Sequence, residues 1–289
     1  MNETKKIILC PNVERDLGYE TARNVYNMLE KRGRRAVICP VYEAGTPEGV
    51  TAHGYEIAEL ESELASAEMI ITFGGDGTIL RAARAAAGFK VPILGVNMGG
   101  KGFMAELEIG DIGKIDAALS DGYEIENRMM IDAEVTHGGE TVCRDFALND
   151  IVVKGDNKVI ELTLFGDGQR ITHFSGDGAV IATPTGSTAY SMAAGGPIVE
   201  PSAQNIIITP ICAHALEAKS FVLVSDRHVS VAIGIKKHSP AYMSADGCAY
   251  VSIQGGDIVN VKKSERYTRL VRLSDRSFYR NVIEKLGKS

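Results

Sequence analysis

Short apolar runs and longer amphipathic segments alternate through the first 122 residues. The apolar runs, such as "KIILC", "MIITF" and "VPILGVN", are rich in β-branched residues. The segments between them, such as "TILRAARAAAG", space their apolar residues as an amphipathic helix does. This βαβα order predicts a parallel sheet with helices on its faces. Gly33 and Gly88 follow two of these helical segments and are predicted to end them as C′ glycines.

Beyond Tyr123 the helical period largely disappears. Three segments, "RMMIDAEVTHGGETVCRDFAL", "IELTLFGDGQRITHF" and "VLVSDRHVSVAIGIKK", alternate about turns and predict antiparallel hairpins. We therefore expect an α/β domain over residues 1–122 and an all-β, sandwich-like domain over 123–273. The closing "SDRSFYRNVIEKLGKS" returns to a helical pattern beginning near Ser274 or Asp275, and we expect residues 274–289 to pack back on the first domain.

Composition narrows the classes of protein. The 289 residues are 45% hydrophobic, which is enough to fill two ordinary cores. A net charge of −6 without a separate lysine or arginine block argues against a nucleic-acid or polybasic membrane surface. The five cysteines are scattered and never form C-x-x-C, which predicts reduced thiols and no zinc site. No apolar run is long enough to span a membrane or to form a signal peptide, so we expect a cytoplasmic protein.

The stretch "GGDGT" lies between a predicted strand and a predicted helix. In an open parallel sheet, ligands bind where loops lead from strand ends into helix N-termini. Gly74, Gly75 and Gly77 can take positive φ and let backbone N–H groups approach a phosphate closely, which a Cβ would block. Asp76 would repel that phosphate, so it is a candidate base or an orienting group for a hydroxyl nucleophile. An ordinary turn is the alternative, because Gly and Asp are common turn residues.

Two better-known nucleotide motifs do not fit this loop. It lacks the lysine of the G-x-x-x-x-G-K-[ST] loop, and "GGKGF" at Gly99 to Phe103 has the wrong spacing. It also lacks the third glycine of the dinucleotide fingerprint, where Leu80 stands, and no ribose-binding acid follows about 20 residues on. A simple dehydrogenase is therefore disfavoured.

A second stretch, "SGDGAVIATPTGSTAYSMAAGGPIVEP", is crowded with glycines and hydroxyl side chains. Such residues can bind the edges of a heterocycle and its ribose, and Tyr190 offers a stacking face. Between this stretch and the first loop, Asn149 and Asp150 interrupt an apolar strand in "FALNDIVV". Taken alone, turn statistics favour a plain turn for that pair.

Together, "GGDGT", "GVNMGGKGF", "LNDIVV" and "SGDGAVIATPTGSTAYSMAAGGPI" resemble the ATP-NAD kinase family in order and spacing. "GGDGT" is shared with diacylglycerol and sphingosine kinases and with phosphofructokinases, whereas "TPTGSTAYSMAAGGP" is close to a family signature. The resemblance implies an N-terminal α/β domain, a C-terminal β-rich domain and a last helix that returns to the first. It also implies transfer of the γ-phosphoryl of ATP to the adenosine 2′-hydroxyl of NAD, giving NADP.

The resemblance also implies roles for particular residues. Asp76 is similar to the catalytic aspartate of the family. Arg81 and Lys158 match positions that are often basic, a solvated surface being the alternative for both. The chain departs from the family pattern at Ser175, Gly100, Lys101, Ala193 and Cys248. The positions that match contacts to the dinucleotide are Gly77, Asn149, Asp150, Asp177, Thr188, Ala189, Tyr190 and Ser191.

The same resemblance implies the partners of the reaction. NAD and ATP are the expected substrates, and a divalent cation, Mg²⁺ or Mn²⁺, is expected to enter with ATP, because no carboxylate cluster predicts metal-ligating residues. The family is usually oligomeric, so we expect a homodimer or homotetramer built mainly beyond Tyr123. A diacylglycerol-type lipid kinase is the alternative enzyme, but it needs an apolar or basic membrane-facing surface. A non-catalytic dinucleotide-binding regulator is the other alternative, and Asp76 argues against it.

Overall fold

The computed structural model describes residues 5–41, 55–99, 102–214, 218–235, 240–273 and 278–287. Gly100, Lys101, Ser274 and Asp275, which the sequence singled out, lie outside these residues. The chain forms two compact units, one comprising Met1–Asn127 with Thr268–Ser289 and the other Arg128–Tyr267.

The first unit contains a parallel sheet, as the βαβα pattern predicts. Its hydrogen-bonded strand order is β2-β1-β3-β4, and β5 lies beside β4. In this register Leu9 is opposite both Ile38 and Ile71. The strands are buried along nearly their whole length because helices cover both faces of such a sheet. The elements are β1 (Lys6–Pro11), α1 (Glu20–Lys31), β2 (Ala36–Ile38), α2 (Leu60–Glu63), β3 (Ala67–Gly74), α3 (Asp76–Ala86), β4 (Ile93–Asn97), β5 (Leu107–Glu108) and α4 (Lys114–Asp121).

The two predicted C′ glycines behave differently. Gly33 has φ +72°, its N–H donates to Glu30 O, and the next N–H donates to Leu29 O, so it ends α1 in a Schellman motif as predicted. Gly88 also stands at the C′ position, directly after the C-cap residue Ala87, but it does not take positive φ. Helix α3 ends two residues earlier, and the left-handed residue of the turn that follows is Lys90, with φ 57°.

The second unit is built from antiparallel strands. One sheet has the order β10-β9-β14-β17, and the other has six strands in the order β13-β12-β11-β8-β15-β16. Strand β6 pairs with β7 and with β17, and both β6 and β17 begin or end in the first unit. The elements are β6 (Glu124–His137), β7 (Glu140–Ala147), β8 (Asp150–Gly155), β9 (Ile160–Gly166), β10 (Gln169–Gly176), β11 (Gly178–Ala182), α5 (Tyr190–Ala193), β12 (Asn205–Ile211), β13 (Phe221–Val224), β14 (Val229–Ile233), β15 (Ala241–Ala245), β16 (Val251–Ile253) and β17 (Ile258–Arg272).

Two of the three predicted hairpins form. Strands β6 and β7 meet at Gly138-Gly139, and β9 and β10 meet at Asp167-Gly168, with positive φ at all four turn residues, as tight hairpin turns require. The third prediction is wrong: β13 pairs with β12, whereas β14 pairs with β9 and β17. The reason is the turn between them, whose His228 N–H donates to Asp167 Oδ1 and so joins β14 to the β9–β10 hairpin.

The six-stranded sheet of the second unit is buried on both faces at its centre. Strands β8, β11 and β12 are buried at nearly every position. One face contributes to the main core of the unit. On the other face, Val152, Val180 and Ile207 pack with Ala194 and Val199. The loop that carries "TPTGSTAYSMAAGGP" therefore covers this face of the sheet.

The last described helix, α6 (Phe278–Leu286), belongs to the first unit, as the closing helical pattern predicts. The Lys285 ammonium lies 5.6 Å from the centroid of the Phe103 ring in the same unit. No helix in the described part of the chain is long and apolar enough to cross a membrane.

Candidate functional site

The "GGDGT" stretch forms the predicted strand-to-helix turn. Strand β3 ends at Gly74, Gly75 is the N-cap residue, and α3 begins at Asp76. None of the three glycines uses the positive φ that glycine allows. Space is the actual requirement at two of them. A Cβ on Gly74 would lie 2.2 Å from Thr78 Oγ1, and one on Gly75 would lie 3.1 Å from the Arg15 guanidinium.

Asp76 is held by the loop that follows β4. Its Oδ2 accepts a hydrogen bond from the Phe103 N–H (2.7 Å), and its Oδ1 accepts one from the Met104 N–H (3.1 Å). A Cβ on Gly102 would lie 2.7 Å from Asp76 Oδ1, so the close approach of this loop depends on glycine there. Each carboxylate oxygen has two lone pairs, which leaves acceptor capacity on both after these bonds. The side chain is thus oriented and still able to accept a proton.

A partly buried ion network supports the loop that holds Asp76. The Arg272 guanidinium donates to Met104 O (3.0 Å), to Glu126 Oε2 (2.6 Å) and to Glu106 Oε2 (3.3 Å). Glu106 is almost fully buried, and its Oε1 accepts a hydrogen bond from the Leu273 N–H (3.1 Å). The burial of the Glu106 charge is tolerated because this carboxylate is paired with Arg272 and hydrogen-bonded. The sequence analysis missed this network, whose members are far apart along the chain.

Three further groups belong to the neighbourhood of the turn. Gly77 is the second residue of α3 and is exposed, and Arg81 lies on the exposed face of the same helix. Arg15, which sequence reasoning did not single out, follows β1 and donates to Gly99 O (2.5 Å) beside Gly75. The loops after three adjacent parallel strands therefore meet around the start of α3. A helix N-terminus with an adjacent guanidinium is a favourable place for an anionic group.

In the second unit, Asn149 and Asp150 stand at the start of β8. The carboxylate of Asp246, just after β15, accepts hydrogen bonds from three successive main-chain N–H groups. Oδ2 accepts from Leu148 (2.8 Å), and Oδ1 accepts from Asn149 (2.7 Å) and Asp150 (3.1 Å). The sequence analysis did not single out Asp246. Its one available signal was the Asp-Gly dipeptide, which indicates a turn.

Both side chains of the Asn149-Asp150 pair are buried. Asn149 is only 8% exposed, and its amide oxygen has no hydrogen-bond partner among the described residues. Burial, together with the negative charge of Asp246, raises the pKa of Asp150 from 3.8 to about 7. A buried acceptor without a partner is unusual in a folded protein and needs an explanation, such as a ligand.

The "TPTGST" loop packs directly on this turn. The Thr183 N–H donates to Asn149 O (2.9 Å), and its hydroxyl donates to Leu148 O (2.5 Å). A Cβ on Gly186 would lie 2.1 Å from Asn149 O, so only glycine fits there. The guanidinium of Arg128, which is buried on β6, donates to the Thr185 hydroxyl (3.2 Å). The structure thus brings the two sequence motifs together within one unit.

The predicted binding residues that follow this loop differ in their surroundings. The Thr188 hydroxyl donates to Thr185 O (3.3 Å), and Ala189 is half-buried. The Tyr190 side chain is 36% exposed and begins α5. Ser191 is fully buried, and its hydroxyl is hydrogen-bonded to that of Thr209 (2.9 Å). Tyr190 is therefore available to a ligand in this structure, whereas Ser191 holds the loop to β12.

Lys158 and Asp177 are not near the Asn149-Asp150 turn. Lys158 is exposed in the loop between β8 and β9, and the Asp177 carbonyl accepts a hydrogen bond from the Gly155 N–H (2.9 Å). Both therefore lie at the far end of β8. This strand has six residues, so the two groups are separated by roughly 16 Å along it.

Comparison with known proteins agrees with these motifs. The family model for the ATP-NAD kinase N-terminal domain matches residues 7–123, and that for the C-terminal domain matches residues 148–273. The NAD kinase of Natranaerobius thermophilus is 36% identical over 287 residues, which cover 98% of this chain and 98% of the relative.

Two solved structures have the same fold. Yeast NADH kinase complexed with NADH has a TM-score of 0.85 at 22% identity, covering 99% of this chain and 88% of that one. An NAD kinase from Archaeoglobus fulgidus in complex with ATP has a TM-score of 0.74 at 23% identity, covering 98% of each chain. These likenesses confirm the predicted α/β and β-rich fold. The matching family models and the relative that is 36% identical show that this chain belongs to the ATP-NAD kinase family, which confirms the kinase function inferred from its motifs.

Proposed function

We propose that this kinase transfers the γ-phosphoryl group of ATP to the 2′-hydroxyl of the adenosine ribose of NAD, with NADP and ADP as products. The observation that carries the proposal is the Asp76 carboxylate, which two main-chain N–H groups orient at the N-terminus of α3. Phosphoryl transfer needs positioning, charge stabilisation and a group that orients or deprotonates the attacking hydroxyl. The turn around Asp76 supplies groups suited to all three tasks.

Asp76 acts as the general base in this proposal. As the 2′-oxygen forms its bond to the γ-phosphorus and the bond from that phosphorus to the ADP oxygen breaks, the hydroxyl proton passes to an Asp76 oxygen. The hydrogen bonds from Phe103 and Met104 hold the carboxylate in place without using all of its lone pairs. Arg15 and the first N–H groups of α3 are placed to favour the phosphate charge.

We infer that a divalent cation, Mg²⁺ or Mn²⁺, enters with ATP and supplies charge neutralisation on its phosphate oxygens. Across the described ranges, no three His, Cys, Asp or Glu side chains are grouped so that they could hold a metal ion. The nucleotide itself would therefore provide most of the oxygen ligands, as Mg²⁺ sites at phosphates commonly do.

We infer that the second unit binds the dinucleotide through the turn at Asn149 and Asp150 and through Thr188, Ala189 and Tyr190. The buried Asn149 oxygen lacks a partner, and a ligand donor such as a ribose hydroxyl or an adenine amino group would satisfy it. Tyr190 offers an exposed ring face for stacking.

A coupled assay tests the reaction. Purified protein with ATP, Mg²⁺ and NAD should form NADP, which an NADP-specific dehydrogenase detects. Parallel reactions with polyphosphate in place of ATP, and with NADH in place of NAD, identify the donor and the acceptor. Phosphorylation of diacylglycerol in place of NAD would favour the lipid kinase alternative. Binding of NAD without any product would favour the non-catalytic regulator.

Asn149→Ala and Tyr190→Ala are each expected to weaken NAD binding about tenfold and to change ATP binding little. The first removes a buried acceptor, and the second removes a stacking ring; each such contact contributes roughly 1–2 kcal/mol. Calorimetry on the purified variants measures both affinities. Tyr250→Ala is the control, because Tyr250 is more exposed than Tyr190 and is stacked edge-on against Tyr242. Equal losses for NAD and ATP, or none, would contradict the assignment.

We further propose a cytoplasmic homodimer or homotetramer that forms mainly through the second unit. Strand β13 is an edge of the six-stranded sheet, and its Val222 and Val224 side chains are 48% and 52% exposed. Native proteins seldom leave an apolar edge strand unprotected, and an exposed apolar patch often marks a protein–protein contact. The distance of Lys158 and Asp177 from the Asn149 turn supports a further part of the proposal, that neighbouring subunits help to close the site.

The double variant Val222→Asp and Val224→Asp is expected to lower the subunit number, because charge would be buried unpaired in the interface. Multi-angle light scattering on the full-length proteins measures the mass. Leu17→Asp is the matched control, since Leu17 is 75% exposed in the first unit. A wild-type protein that is monomeric and fully active would refute the assembly, and an unchanged mass for the double variant would exclude this edge.

A further inference from the structure

We propose that Asp246 is a positioning residue for the dinucleotide, because it holds Asn149 and Asp150 in the arrangement in which they accept hydrogen bonds from NAD. The proposal rests on the proposed dinucleotide site and adds to it a residue that does not itself touch the ligand. It is carried by the geometry around the Asp246 carboxylate.

The Asp246 carboxylate accepts three consecutive amide N–H groups, at 2.8 Å from Leu148, 2.7 Å from Asn149 and 3.1 Å from Asp150. The main-chain N–H of Asp246 donates in turn to Asp150 O (3.0 Å). Hydrogen bonds to an ionised carboxylate are roughly twice as strong as neutral ones. This one side chain therefore fixes the backbone of the whole turn.

The backbone of Asp246 is itself specialised. Its φ is +51°, and Gly247 follows with φ +68°. A left-handed backbone is tolerated best by Gly, Asn and Asp, so the turn after β15 favours the residue types that can direct a short polar side chain back to β8. The placement of the carboxylate is thus set by the turn and not by a flexible side chain.

The turn that Asp246 holds in place carries two buried side chains that can accept hydrogen bonds from a ligand. Asn149 Oδ1 is buried without a partner among the described residues. The Asp150 carboxyl, beside it in sequence, is also buried, and a carboxylate accepts hydrogen bonds from ribose hydroxyls well. Two acceptors held at one turn are suited to the donors of a nucleoside.

Asp246 also contributes, after burial, to the raised pKa of its neighbour Asp150. Burial and the Asp246 charge raise the pKa of Asp150 to about 7. Strand β11, which pairs with β8 on one side, carries no ionisable side chain. On β15, which pairs with β8 on the other side, Tyr242 is opposite Lys154 at the other end of β8. On the adjoining loop, Thr185 accepts a hydrogen bond from the guanidinium of Arg128 on β6. Asp246 is therefore the charged group that acts on Asp150.

A pH dependence follows, with a definite sign. Below pH 7 Asp150 is protonated and loses acceptor capacity, and above pH 7 it is a carboxylate. NAD affinity should therefore fall as the pH is lowered through about 7. Asp150→Asn should remove this dependence, because asparagine does not titrate.

Calorimetric titration with NAD from pH 5.5 to 8.5 tests the role of Asp246. Asp246→Asn is expected to weaken NAD binding about tenfold at pH 8, because its amide group replaces one acceptor and leaves an N–H of the turn unpaired. It is also expected to move the midpoint of the pH profile to lower pH, since the neighbouring charge is gone. A residue that only stabilises the fold would not move this midpoint.

Asp167→Asn is the matched control. Asp167 also has positive φ (49°), precedes a glycine, and accepts a main-chain N–H, that of His228 (2.9 Å), but it lies at the β9–β10 turn. This variant should keep both the affinity and the pH midpoint of the wild type. If Asp167→Asn changes NAD binding as Asp246→Asn does, the positioning role is refuted.

Asp246→Glu distinguishes the effect of the negative charge from the effect of the position of the carboxylate. It also provides the test if Asp246→Asn does not fold. It should weaken NAD binding, because the carboxylate is displaced, and yet keep the midpoint near the wild-type value, because the charge remains. Wild-type affinity in Asp246→Glu, or in a folded Asp246→Asn, would overturn the proposal. Normal NAD binding by Asn149→Ala and Asp150→Asn would instead overturn the proposed dinucleotide site itself.

Discussion

Replacing Asp76 with asparagine is expected to lower turnover by about 100-fold or more while NAD affinity and the fold stay close to wild type. This loss is about 2.7 kcal/mol of activation free energy, at roughly 1.36 kcal/mol per tenfold, and is within the range for removal of a general base. The asparagine side chain has nearly the same shape and can still accept one of the two hydrogen bonds from Phe103 and Met104. It cannot take the proton of the attacking hydroxyl at neutral pH.

Steady-state kinetics at several NAD concentrations separate kcat from KM, and thermal unfolding checks the fold. Asp116→Asn is the matched control, because Asp116 is also an aspartate in the first turn of a helix in the first unit, where it pairs with Arg32. It should keep wild-type turnover. A folded Asp76→Asn variant with near-wild-type kcat would remove Asp76 from the mechanism, and a change confined to KM would make it a binding residue.

Local patterns in the sequence were sufficient to predict most of the strands and the position of the main turn. The runs that became β1, β3 and β4 are short and apolar because the sheet is buried on both faces, a property that depends on each run alone. The same holds for Gly33, whose role at the end of α1 follows from its immediate neighbours.

Predictions that depended on tertiary contacts were less successful. The glycines of "GGDGT" were correctly located, but the neighbour that excludes a Cβ was not predicted: Gly74 is glycine because the Thr78 hydroxyl occupies the space of a side chain. Strands β13 and β14 are adjacent in sequence with a turn between them, yet they pair in different sheets. The sequence of the segment that contains β13 and β14 does not indicate which sheet each strand joins.

The residues that hold the functional groups could not be predicted at all from spacing. Asp76 is fixed by N–H groups 27 and 28 positions along the chain, and the Asn149 turn is fixed by Asp246, 97 positions away. These contacts exist because parallel and antiparallel pairing brings distant loops to the same end of a sheet. The motifs therefore indicated candidate ligand-binding residues, whereas the residues that hold them in place became visible only in the fold.

Gly186→Ala is expected to destabilise the protein by about 2–3 kcal/mol and to weaken NAD binding more than tenfold. The added Cβ would lie 2.1 Å from Asn149 O, 2.5 Å from its carbonyl carbon and 2.8 Å from its Cα, so a backbone must move. Overpacking of this kind costs about 1–3 kcal/mol, and more when main-chain atoms are involved. The displaced segment carries Asn149, so the dinucleotide site is disturbed together with the core.

Urea unfolding and calorimetry with NAD measure the two effects, and Gly88→Ala is the control. Gly88 has no atom within 4 Å of its would-be Cβ and no positive φ, so alanine there is expected to be neutral or to stabilise by a few tenths of a kcal/mol through the unfolded chain. If Gly186→Ala were as stable as Gly88→Ala and bound NAD normally, the close packing of the "TPTGST" loop on Asn149 would not exist in solution. Loss of stability with normal NAD affinity would confirm the close packing of Gly186 on Asn149 but would show that this packing does not affect NAD binding.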